Sequence, residues 1–189
     1  MTRVIRRGVE AGDAAAMEVT PAAPDDPFLA FRRDHARVLG SLDALEASAL
    51  VGGGPLDERP LRELVALLER QFATHMAAED AVLYPALRTA FPEVGGTIDP
   101  LLADHAELRA TLAALGELLA LSPGRARDEQ LVVLARDFTD LLRLHIRKEE
   151  SLVLDVASRV LSHAEIAAMA DGLVAFRREP DDPRAPRGR

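Results

Sequence analysis

Apolar residues recur along this chain in long stripes whose members lie mostly three or four residues apart, or a multiple of a turn apart, the spacing of one face of an α-helix. The first stripe holds Phe31, Val38, Leu42, Leu45 and Ala49, and the second Leu61, Leu64, Leu68, Phe72, Val82 and Ala86. The third holds Leu101, Leu108, Leu112, Leu115 and Leu119, and the fourth Leu131, Leu134, Phe138, Leu142, Leu152 and Val156. A shorter face, Ile166, Met169, Leu173 and Phe176, follows.

Boundary residues mark where these helices begin and end. Asp26-Pro27 and Asp99-Pro100 each offer an N-cap aspartate followed by proline at the first helical position. They predict helices from about 26 to 50 and from about 99 to 121, ended by Gly52-Gly53-Gly54-Pro55 and by Ser122-Pro123-Gly124. The second helix is expected from Asp57–Pro60 to about Ala90, with a kink or early end at Pro85. The fourth is expected over about 128–161. Ser162-His163-Ala164-Glu165 reads as a capping box that opens the short fifth helix to about 178.

The third and fourth stripes repeat the first and second 70 positions later. This is a helix hairpin that occurs twice. The expected fold is all-α: an up-down-up-down four-helix bundle with a pseudo-two-fold hairpin repeat and a short fifth C-terminal helix, over residues 25–178. Residues 1–24 and 179–189, rich in proline, alanine and charge without periodicity, are expected to be a disordered leader and tail.

Six polar residues interrupt the stripes. His75 and Glu79 share a helix face at i and i+4, and His145 and Glu149 repeat them; His35 and His105 correspond in the same way. Burying an imidazole or a carboxylate alone is costly, so each needs a partner. One histidine on an apolar face is ordinarily a satisfied core residue. Four of the five histidines on four stripes, in register with two carboxylates, point instead to a metal site. Nitrogen and oxygen ligands without sulfur suit Fe, Mn or Zn. Two carboxylates from different helices can bridge two ions, leaving about two positions of each octahedral ion open. His163, in the capping box and off any stripe, reads as a surface residue. Asp34, Asp80, Asp104 and Glu150 adjoin the candidate ligands, and either orient imidazole N–H groups or lie on the solvated face. Tyr84, whose repeat partner is Leu154, reads as core packing. Arg109 either reaches a bound anion or lies at the surface.

Composition narrows the field. No cysteine is present, which excludes thiolate ligands, disulfides and iron–sulfur clusters. A net charge of −8 argues against general nucleic-acid binding. No apolar run approaches membrane-spanning length, and no secretory signal follows Arg3, Arg6 and Arg7, so a cytoplasmic protein is expected.

The motif set Asp34-His35, His75-x-x-x-Glu79, Asp104-His105 and His145-x-x-x-Glu149, with Leu83-Tyr84-Pro85 after the second helix motif, resembles the hemerythrin-like, HHE cation-binding domain over about residues 26–178. The resemblance implies a non-haem centre of two Fe ions that meets dioxygen, peroxide or nitric oxide. Oxygen-carrying hemerythrins have His-x-x-x-His on the third helix, where this chain has Arg109, and end in His-x-x-x-x-Asp, where it offers Glu149 or Glu150. The four-histidine, two-glutamate set looks more like the iron–sulfur repair di-iron proteins, though the Cys-bearing domain often found in those is absent. The expectation is therefore a di-iron protein that binds or reduces a small oxidant. Iron storage or delivery, and a metal-stabilised sensor or interaction module, are the alternatives.

Overall fold

The computed structural model describes residues 26–47 and 57–178. The sequence-predicted leader and tail, and the glycine-rich end of the first helix, lie outside the described residues. Among those described, the elements are helical. They are α1 (Pro27–Leu45), α2 (Glu58–Gln71), α3 (Tyr84–Ala90), α4 (Gly95–Ala120), α5 (Arg125–Glu149), α6 (Asp155–Val160) and α7 (His163–Arg178). No helix among them is long and apolar enough to cross a membrane.

Caps act where the sequence places them at three starts. Asp26 accepts from the Phe28 amide at 3.0 Å, with Pro27 at the first helical position. Asp57 accepts from the Arg59 amide at 3.1 Å. Ser162 and Glu165 form the reciprocal box that opens α7: the Ser162 amide donates to Glu165 Oε2 at 2.7 Å and the Glu165 amide to Ser162 Oγ at 3.3 Å.

The Asp99-Pro100 start is not observed. A 3₁₀ turn at Pro92–Val94 leads into α4 at Gly95, and Pro100 lies inside the helix. Tertiary packing outweighs the local signal. The added turn buries Ile98 completely, and Asp99 pairs with Arg88 across the connection instead of capping. Helix α5 likewise begins at Arg125, three residues before the expected start. That turn carries Arg127, which is 7% exposed. Its guanidinium donates to Leu118 O at 2.9 Å and Leu119 O at 3.3 Å, two of the last carbonyls of α4, and pairs with Glu58.

The largest departure from simple periodicity lies at π-helical turns. Phe72–Met76 and Glu79–Leu83 join α2 to α3, and Glu150–Leu154 joins α5 to α6. A π turn holds one residue more than an α turn, so the buried face beyond it moves by about one position. Leu83, Tyr84 and Leu87 are buried, while Val82 and Ala86 are only partly so. In the second half Val153, Leu154 and Ala157 are buried, whereas Leu152 (49% exposed) and Val156 (37%), expected in the core, face out. Pro85, two residues after the Glu79–Leu83 turn, is compatible with it. The second half makes the same turn with Asp155 at that place, so proline is not its cause.

Helix α4 packs along α5; α1 packs against α2 and α5; and α2 packs against α4. Two apolar clusters result. One holds Val38, Leu42, Leu68, Phe72, Leu108, Leu142 and their neighbours; the other holds Phe31, Leu83, Tyr84, Leu101, Leu154 and the α7 residues Met169 and Leu173. Along each of the four long helical segments the candidate ligands fall between the positions that feed these two clusters.

Candidate metal centre

Each hairpin brings two imidazoles together. His35 Nε2 and His75 Nε2 are 3.1 Å apart, and so are His105 Nε2 and His145 Nε2. The two glutamates connect these pairs. Glu149 Oε2 lies 3.2 Å from His35 Nε2 and 3.5 Å from His145 Nε2. Glu79 Oε1 lies 2.7 Å from His75 Nε2, and its Oε2 lies 3.6 Å from His105 Nε2. Each carboxylate therefore touches one imidazole of each pair. Glu79, Glu149 and His105 are fully buried. His35, His75, Glu79 and Glu149 form one group close enough to hold an ion, and His105, His145 and Glu149 a second.

The four acidic residues beside the ligands all face imidazole Nδ1 atoms. Within hairpins, Asp34 lies 3.3 Å from His75 Nδ1 and Asp104 lies 3.5 Å from His145 Nδ1. Between hairpins, Glu150 lies 3.3 Å from His35 Nδ1 and Asp80 lies 2.7 Å from His105 Nδ1. All four contacts respect the repeat. This resolves the alternatives left open by the sequence in favour of orientation. At His35, His75 and His105 a carboxylate within hydrogen-bond reach of Nδ1 draws the ring proton there and turns the Nε2 lone pair inward, whereas His145 Nδ1 has Asp104 nearby but no hydrogen-bond partner.

The inner groups then present lone pairs and negative charge to one another. Both Glu79 oxygens and Glu149 Oε2 are buried without a hydrogen-bond donor. Burial and the charge of Glu149 push the Glu79 carboxyl up to about 8. Burial opposes, yet the His145 and His35 imidazoles beside it hold Glu149 well below the usual carboxylate range. Burial lowers His75, but Glu79 and Asp34 outweigh it and raise the imidazole to about 10. Protons thus neutralise this cluster when no metal does, and cations binding there would displace them. The donor set fits metal ions.

A family model, the hemerythrin HHE cation binding domain, matches residues 26–157. The chain belongs to this family. No curated relative matches it.

In this hemerythrin-family chain the two halves differ around a common plan. Tyr84, read from sequence as core packing, is at the centre itself. Its hydroxyl donates to Glu149 Oε1 at 2.5 Å and lies 3.5 Å from His105 Nε2, and its ring stacks on the His105 ring. Burial and the Glu149 and Glu79 charges push its pKa up, so it keeps its proton. Tyr84 follows Glu79 by five residues, off the ligand face in an α-helix but on it across a π turn. That i+5 spacing is the sequence signal that could have found it.

Arg109, half-exposed, donates to Asp80 Oδ2 at 2.6 Å, and so fixes the carboxylate that faces His105. Burial opposes, but the hydrogen bonds from His105 and Arg109 hold the Asp80 carboxyl below its usual range. Lys148 donates to Asp104 Oδ2 at 2.9 Å, beside His145. Tyr84, Arg109 and Lys148 all serve the His105–His145 side. His163 is exposed at the start of α7, away from the centre.

Proposed function

We propose that His35, His75, Glu79, His105, His145 and Glu149 hold two iron ions, with both glutamates bridging, and that the centre binds or reduces a small oxidant such as dioxygen, peroxide or nitric oxide. The observation that carries this reading is that each buried carboxylate reaches an imidazole of both pairs. Purely structural ion pairs would not need four imidazole Nε2 atoms and two buried carboxylates at one level. Iron at such a site supplies reversible one-electron chemistry to a small ligand. The chain's own part is to exclude bulk water, to hold the imidazoles of His35, His75 and His105 by their Nδ1 protons, and to keep a proton on Tyr84 within reach of Glu149. The repeat of contacts across the halves supports two hairpins in an up-down-up-down arrangement about a pseudo-two-fold axis.

The test is metal analysis of anaerobically purified protein, then optical spectra on addition of dioxygen, hydrogen peroxide or nitric oxide. About two irons per chain and a spectral response to an oxidant support the proposal. Zinc in both positions, with no response, overturns it.

A further inference from the structure

Lys148 and His145 compete for one carboxylate oxygen. Asp104 Oδ2 accepts from the Lys148 ammonium at 2.9 Å and stands 3.5 Å from His145 Nδ1. That nitrogen is buried and has no hydrogen-bond partner. In the first half of the repeat the corresponding residues are Asp34, His75 and Ala78. Asp34 Oδ2 lies 3.3 Å from His75 Nδ1, within hydrogen-bond reach, and Arg37 approaches the other oxygen, Oδ1, only to 3.8 Å. A methyl group, at Ala78, stands where the second half has an ammonium.

Arg109 acts differently on its own carboxylate. Asp80 accepts from Arg109 on Oδ2 at 2.6 Å and faces His105 Nδ1 with Oδ1 at 2.7 Å. That cation braces the carboxylate without taking the oxygen that serves the ring. Asp104 instead sits closer to the full positive charge of Lys148 than to the imidazole, as the stronger charge-assisted bond dictates. An imidazole that donates from Nδ1 to a carboxylate is better oriented and more basic at Nε2, and loss of such an outer partner costs about 10- to 100-fold in metal affinity. The converging donors are unequal in the same direction. His35, His75, Glu79 and Glu149 supply four, whereas His105, His145 and Glu149 supply three.

We infer that Lys148 is a positioning residue that makes the two metal positions unequal. By holding Asp104 off His145, it leaves the His105–His145 position the weaker one for a divalent metal cation, the last to fill and the first to empty. The His35–His75 position, with both of its rings tied at Nδ1, keeps its ion. This rests on the two-ion reading of the centre and not on its chemistry with oxidants.

The experiment uses the full chain loaded with zinc, which has no redox chemistry of its own, and an excess of a coloured chelator that reports each ion as it leaves. The wild type should release its zinc in two phases of equal amplitude, with rates at least about tenfold apart. Lys148→Ala, which copies the first half, and Lys148→Met, which keeps most of the stem, should slow the fast phase about tenfold and leave the slow phase as it was. Lys148→Arg keeps a cation beside Asp104 and should retain the wild-type phases. Tighter binding on removal of a side chain is not what structural damage produces. Anomalous diffraction from crystals holding one zinc per chain should place it at His35–His75 in the wild type and divide it between the two positions in Lys148→Ala. Release in a single phase from the wild type overturns the inference, and so does a first zinc found at His105–His145. A fast phase unchanged or quickened in folded Lys148→Ala overturns it too; if that variant does not fold, Lys148→Met decides. Fewer than two zinc ions on the wild type overturns the two-ion reading and the inference with it. Two zinc ions leaving in the expected phases, with an iron-loaded protein that ignores every oxidant, overturns the oxidant chemistry alone and supports the role of Lys148.

Discussion

The Tyr84 hydroxyl donates to Glu149 Oε1 across 2.5 Å, from one half of the repeat to a candidate ligand in the other. It ties a protonated phenol to a carboxylate that also touches both imidazole pairs through its other oxygen. Tyr84→Phe should leave the fold intact, lose about 1–3 kcal/mol for the hydrogen bond to a charged group, and retain the metal. If the hydroxyl supplies a proton to reduced oxidant, the reaction with hydrogen peroxide should slow on the order of 100-fold. Stopped-flow spectra of the reduced variant measure this; a wild-type rate at full metal content reduces Tyr84 to packing.

Glu149 belongs to both potential metal groups and Glu79 to the one with His35 and His75. Glu149→Ala should therefore lower the content of both ions, while Glu79→Ala should lower it less and at the His35–His75 position first. Elemental analysis of the purified variants reads the stoichiometry. Two retained ions in both variants would rule out bridging.

His163 is the fifth histidine and lies outside the centre. His163→Ala should keep full metal content and change stability by less than about 0.5 kcal/mol, as surface substitutions do. Loss of metal with the helical signal unchanged would show a ligand role.

The π turn at Glu150–Leu154 makes neighbouring leucines unequal. Leu154 is fully buried and Leu152 is half-exposed. Leu154→Ala should cost about 2–5 kcal/mol, as for other buried leucines, and Leu152→Ala less than about 0.5 kcal/mol. Urea midpoints of the two variants decide the matter. An unbroken α-helix through 150–154 would bring the two values together or reverse them.

The Glu58–Arg127 pair predicts acid behaviour away from the centre. Hydrogen bonds from Arg127, aided by Arg62 and opposed by burial, hold the Glu58 carboxyl at about 2 instead of its usual 4.5. A carboxylate whose pKa is depressed by folding stabilises the folded state above its ordinary value, and that contribution is lost as pH falls. Wild type should exceed Glu58→Gln in urea midpoint at pH 6, and the difference should shrink between about pH 4.5 and 2. A difference that stays constant over that range would mean Glu58 does not act through its charge.

The sequence by itself determined the helical class, the hairpin repeat and the six inward polar residues. Each of these rests on local periodicity: i and i+4 residues share a helix face whatever packs against it, and a repeat of 70 positions carries that face into the second half. The caps at Asp26, Asp57 and Ser162 were legible for the same reason, since each is satisfied within a few residues. Tertiary structure decided the rest. Burial of Ile98 extended α4 past the Asp99-Pro100 signal, and Arg127 drew α5 back to the last carbonyls of α4. The π turns rotated Tyr84 onto the centre and Leu152 away from the core, because one added residue changes the phase of all that follows. The acidic neighbours were visible as residues, but only the packing of four helices shows that Asp80 and Glu150 serve histidines of the opposite hairpin. Contacts between segments 25 to 115 residues apart have no periodic trace in the chain, and they distinguish the two sides of the centre.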